Sequence, residues 1–91
     1  GFNSSATAAN ALALGSSAEA SAVNSLALGS SAEASGIGSY AAGLEATASG
    51  ANAMALGTLA SASNTDSWAA GYCAQATGPN ATALGSKSKA T

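Results

Sequence analysis

"NSLALGSSAEASGI" (residues 24–37) follows directly on "NALALGSSAEASAV" (residues 10–23), and the two are nearly the same stretch written twice. The agreement extends in both directions. Stepping by fourteen from Gly15 finds glycine at Gly1, Gly15, Gly29, Gly43, Gly57, Gly71 and Gly85, without insertion or gap. Two residues before the glycine stands alanine, at Ala13, Ala27, Ala41, Ala55, Ala69 and Ala83. Five residues after it alanine returns, at Ala6, Ala20, Ala34, Ala48, Ala62, Ala76 and Ala90. Five residues before it stands a turn-former: Asn10, Asn24, Gly38, Asn52, Asp66 or Asn80. A repeat this regular decides the architecture before composition does.

Fourteen residues are also two heptads, but a coiled coil fails on content. The in-phase positions are glycine and turn-formers, which weaken a helix interior. Large residues miss the a and d positions, and the flanking charges are missing. Collagen fails because glycine does not fall at every third residue. Within one repeat the apolar pattern alternates with period two, the strand signal. Each repeat therefore reads as two short strands joined by two turns. One turn lies at the marker glycine and the other at the turn-former. That is one coil of an all-β parallel β-roll, or solenoid. Coils stacked about 4.8 Å apart make six to seven of them a rod about 30 Å long. The pattern does not give the handedness. Residues 1–91 form a single domain on this reading. The chain starts inside a repeat and shows no signal peptide, so it reads as a fragment of a longer one.

In a solenoid each repeat position becomes a column along the rod. The second strand has alanine on one face, at Ala18, Ala32, Ala46, Ala60 and Ala74 together with the column of Ala20. Its other face carries Glu19, Glu33, Thr47, Ser61, Gln75 and Lys89, beside a hydroxyl column that includes Ser21, Ser35 and Ser49. The alanines face inward and the polar columns face water. The first strand offers two candidate inward faces. One is small: Ala11, Ser25, Ser39, Ala53, Ser67 and Ala81 with the column of Ala13. The other is large: Leu12, Leu26, Tyr40, Met54, Trp68 and Thr82, with Leu14, Leu28, Ala42, Leu56, Ala70 and Leu84. A fourteen-residue coil has little interior room after two turns. The expectation is that the small face lines the roll and the large face points out of the monomer.

Burying an alanine methyl contributes about 0.8 kcal/mol, whereas ordering one residue costs about 1–2 kcal/mol of backbone entropy. An alanine-filled roll is weak unless the large columns are buried too. A continuous apolar stripe is an interaction site by default, here read as the seam of a homo-oligomer. Size compensation supports a confined space: Tyr40 goes with Ala42 and Trp68 with Ala70, whereas Leu12, Leu26 and Met54 go with leucine.

Composition narrows the function. Only 7% of residues are charged, far below the usual quarter or so, so Ser, Thr and Asn must solvate the surface. With a net charge of −2, no histidine, and lysine only at Lys87 and Lys89, nucleic-acid binding has no electrostatic footprint. No apolar run approaches the roughly 20 residues of a membrane span. Catalysis finds no base for Cys73 and no serine set apart as a nucleophile, so the chain is not read as an enzyme. No cofactor and no metal are expected, because the four acidic residues are spread along the rod. Cys73 is read as a small residue beside Tyr72, with an intermolecular crosslink as its rival. Phe2, Leu44, Leu59 and Tyr72 fall near one turn, as an outer apolar patch or as packing at a chain edge. Pro79 precedes Asn80 at a turn, a tolerated place.

"NSLALGSSAEASG" (residues 24–36), with weaker copies "NAMALGTLASAS" (52–63) and "NATALGSKSKAT" (80–91), resembles the head repeat of YadA-like trimeric autotransporter adhesins. The resemblance covers essentially the whole chain. It implies a left-handed parallel β-roll in each chain and three rolls packed as a homotrimer. The seam would be formed by Leu12, Leu14, Leu26, Leu28, Tyr40, Met54, Leu56, Trp68 and Leu84. It further implies attachment to host cells, through extracellular-matrix proteins or cell-surface receptors, from an outer-membrane-anchored position on a bacterium. The ligand would meet the outward columns, represented by Glu19, Ser21, Glu33, Ser35, Thr47 and Ser49. The segments "GSYAAG" (38–43) and "DSWAAG" (66–71) depart from the motif, an aromatic and an alanine replacing two aliphatics. Two other readings remain: a passive spacer, and an ice-binding solenoid using the Ser/Thr column. Most of that column is serine, and its neighbour carries Glu and Lys.

Overall fold

The computed structural model describes residues 4–91, so Gly1, Phe2 and Asn3 lie outside the described residues. Among the latter there are only short strands and turns, and no helix. Three-residue strands run Leu12–Leu14, Leu26–Leu28, Tyr40–Ala42, Met54–Leu56, Trp68–Ala70 and Thr82–Leu84. Two-residue strands alternate with them, from Ser5–Ala6 through Glu19–Ala20 and Glu33–Ala34 to Lys89–Ala90. The three-residue strands form one six-stranded parallel sheet and the two-residue strands one seven-stranded parallel sheet. Every partner lies fourteen residues away: Leu12 beside Leu26, Leu26 beside Tyr40, Glu19 beside Glu33. The repeat in the sequence is thus the coil of a parallel β-solenoid, and the rod measures 32 × 20 × 11 Å.

The interior is made of the smallest side chains. Ala13, Ala20, Ala27, Ala34, Ala41, Ala48, Ala55, Ala62, Ala69, Ala76 and Ala83 are all buried, as is the Ala18 column through Ala74. The largest fully buried side chains are serines, Ser25, Ser39 and Ser67. A buried hydroxyl needs a partner, and the adjacent turn supplies it. Ser25 Oγ donates to the Ala22 carbonyl at 2.6 Å and Ser67 Oγ to that of Asn64 at 2.6 Å. Ser39 Oγ accepts from the Gly36 amide at 3.2 Å. These serines brace the turn from inside, which is why a core column tolerates them.

The turns carry as much order as the strands. Each is closed by a bond between its first and fourth residues, as in Ala18 N to Gly15 O at 3.2 Å and Ser25 N to Ala22 O at 3.1 Å. The third residue has positive φ, 60° at both Ser17 and Asn24, the signature of a type II turn. That geometry aims the central peptide along the rod axis. Its N–H donates to the same peptide of the preceding coil: Asn24 N to Ala9 O at 3.0 Å, Ser31 N to Ser16 O at 2.8 Å. The turns therefore stack by hydrogen bonds just as the strands do.

One of these turns was only partly legible. The Asn10, Asn24, Asn52 and Asn80 column occupies the left-handed position of its turn, where Asn is at home. At the other turn the marker glycine is the first residue, and the left-handed position two residues later holds Ser17, Ser31, Glu45, Leu59, Cys73 and Lys87. None of these but its column marks it for that conformation. The glycine itself has φ between 109° and 132°. A Cβ on Gly29 would stand 2.6 Å from the carbonyl oxygen of Gly43. Backbone therefore stacks on backbone at Gly15, Gly29, Gly43, Gly57 and Gly71, and Gly85 shares the φ.

Candidate interaction surfaces

Two exposed faces follow from this packing. Strand alternation puts the middle alanine of each three-residue strand inside, so its flanking residues must point outward. Leu12, Leu14, Leu26, Leu28, Tyr40, Met54, Leu56, Trp68 and Leu84 consequently stand in two adjacent columns on the outer face of the six-stranded sheet. Those most open run from 39% exposed at Leu56 to 66% at Leu84, while Leu26, Leu28 and Met54 are partly covered by their neighbours. The chain thus keeps its smallest apolar groups inside and leaves its largest in water. Globular proteins do the reverse with residues of this size.

The outer face of the seven-stranded sheet is polar. Glu19, Glu33 and Gln75 are exposed, and Thr47 and Ser61 half-buried, in one column, with Ser21, Ser35 and Ser49 exposed beside them. Glu19 and Glu33 are direct register partners, so like charges sit one strand spacing apart, a mild repulsion in solvent. No pocket opens among the described residues, and no three His, Cys, Asp or Glu residues lie close enough there to hold a metal ion. What this surface can do chemically is present a flat array of hydroxyls, carboxylates and amides to a large partner.

The turn that starts at the marker glycine adds a third feature. Leu44, Leu59 and Tyr72 are exposed there, and Cys73 is a half-buried free thiol. Cys73 follows Tyr72 in the chain and holds the left-handed position of its turn, with φ 58° and its amide on the Thr58 carbonyl at 2.9 Å. Phe2, which the sequence groups with this patch, lies outside the described residues. Pro79 is at the second position of its turn. At the same position of earlier turns the amides of Val23, Ile37 and Ala51 make no backbone bond in the stack. A residue without an N–H therefore loses nothing there.

Comparison with known families adds one result. A model of the YadA head domain repeat, two copies long, matches residues 1–18, 6–32, 34–60, 48–72 and 62–88. The matches cover all but a few residues, and those starting at 6, 34, 48 and 62 are spaced by multiples of fourteen. A search of curated proteins finds no match to the chain.

Proposed function

The chain belongs to the family of YadA head domain repeats, and from that premise we propose that it is the head of a trimeric surface adhesin. Three copies, each a left-handed roll, pack their six-stranded sheets together. The outward columns of the other sheet then meet a ligand on a host cell, an extracellular-matrix protein or a cell-surface receptor. The setting is the outside of a bacterial cell, and the work is binding, with no reaction and no cofactor. One observation carries this reading: the core of a single chain holds nothing larger than serine while leucine, tyrosine and tryptophan stand outside. Fully burying each such side chain contributes about 1.5–3 kcal/mol, and only another surface can cover them.

Sedimentation equilibrium tests the assembly. The chain is expected to run at three times its mass of 8.3 kDa, and Leu28→Asp to dissociate and unfold it. A folded, soluble monomer would sink the interface. Adhesion is tested apart, by binding of the trimer to immobilised matrix proteins and to host cells. Glu33→Lys with Ser35→Lys, on the polar face, is expected to abolish that binding while leaving the trimer intact. A trimer that binds none of these surfaces is a spacer.

A further inference from the structure

The large columns are written in two patterns, and the difference reaches round the glycine turn. Where the strand ends in leucine, at Leu14, Leu28, Leu56 and Leu84, the residue after the glycine is serine or threonine. Where it ends in alanine, at Ala42 and Ala70, the strand starts with Tyr40 or Trp68 and the residue after the glycine is Leu44 or Tyr72. Six coils obey this rule without exception. Packing within one chain does not require it. Tyr40, Trp68, Leu44 and Tyr72 are all about half exposed, between 44% and 50%, so none is confined by its own roll.

We propose that the two aromatic coils are register keys between copies. Tyr40 and Trp68 of one copy enter notches on the next copy at the same level. Ala42 and Ala70 floor the notches, and Leu44 and Tyr72 wall them. The proposal rests on the homotrimer reading above. In a ring of identical chains the contact is head to tail, so one end of a strand meets the opposite end of its neighbour's. A large first residue then needs a small last one across the seam, and the turn residue closes the side. Aliphatic coils are nearly interchangeable, so they alone would allow a slip by one coil. Such a slip sets Trp68 against Leu56 or Leu84, where two large side chains overfill the space, and leaves Ala70 facing a void. The keys thus select one register from a repeat that otherwise permits several.

Trp68 is the single tryptophan, so its fluorescence reads its own surroundings. In the unmodified chain its emission is expected to be blue-shifted and shielded from acrylamide. Tyr72→Ser puts at this turn the residue already found there as Ser16 and Ser30, so the fold accommodates it. In that variant the emission shifts to the red and quenching rises. The decisive mixture refolds the Tyr72→Ser chain with excess Trp68→Phe chain, which has no tryptophan but keeps Tyr72. Shielding of Trp68 returns if the wall belongs to the neighbour. A trimer in which Tyr72→Ser changes nothing, or in which the mixture restores nothing, overturns the keys alone. An unmodified chain that sediments as a monomer overturns the trimer reading beneath them.

Discussion

At the residue scale, the left-handed position of the second turn explains what an unusual side chain does there. An L-residue in that conformation costs about 1–2 kcal/mol, and asparagine visits it most readily after glycine. Glu45, exposed with φ 58°, carries the strain because its amide is held on the Ser30 carbonyl at 2.9 Å. Glu45→Asn is expected to raise the melting temperature by a few degrees, measured by circular dichroism. The opposite lesson comes from the position before the left-handed one. Pro79 shows that this column accepts a fixed φ and no N–H, and Gly36–Ile37 matches Gly78–Pro79 in phase. Ile37→Pro should stabilise by about 0.4–1 kcal/mol, by restricting the unfolded chain. A drop in melting temperature would mean that the Ile37 side chain is already in use.

At the element scale, the unit of construction is the coil, and its length is fixed by stacking. Deleting residues 24–37 joins Val23 to Gly38 and keeps every column in phase. That chain is expected to keep its β signal and cooperative melting, with lower stability because one coil interface is lost. Deleting residues 24–30 shifts everything downstream by half a coil. The inward alanine columns lie seven residues apart, so they would stay inward, but the large residues from Tyr40 onward would move to the outer face of the other sheet. The apolar stripe would be split between two faces, and sedimentation is expected to show that this chain no longer assembles as the unmodified one does. The marker glycine is the least replaceable point of the coil. Gly29→Ala meets both the strained φ and the backbone of Gly43, and should cost at least about 1–3 kcal/mol.

At the scale of the whole molecule, the interior and the exterior are inverted in size. Alanine inside gives the rod its thinness, 11 Å on its shortest axis, and lets two sheets of two- and three-residue strands lie close. The same choice leaves the leucine columns unburied, so folding and association should be one event. Stability then depends on protein concentration. Thermal melts across a hundredfold dilution are expected to shift to lower temperature as the chain is diluted. A melting point independent of concentration would show that the roll stands alone.

The sequence by itself determined the coil. A strict fourteen-residue spacing of Gly15, Gly29 and Gly43, with alternation between them, leaves a parallel β-solenoid as the arrangement that satisfies both. The asparagine column was legible for the same reason, since its side chain favours the conformation its turn demands. The tertiary structure decided the rest. Alternation alone cannot say which face of the Leu26–Leu28 strand is inside, because either face is consistent with period two. The shortness of the coil pointed to the small face, and the burial of Ala27 and Ser25 beneath the exposed large columns fixes it. The left-handed Ser31, Leu59 and Cys73 carried no local signal either. Their conformation is imposed by the peptide of the preceding turn, fourteen residues away in the chain and one hydrogen bond away in space.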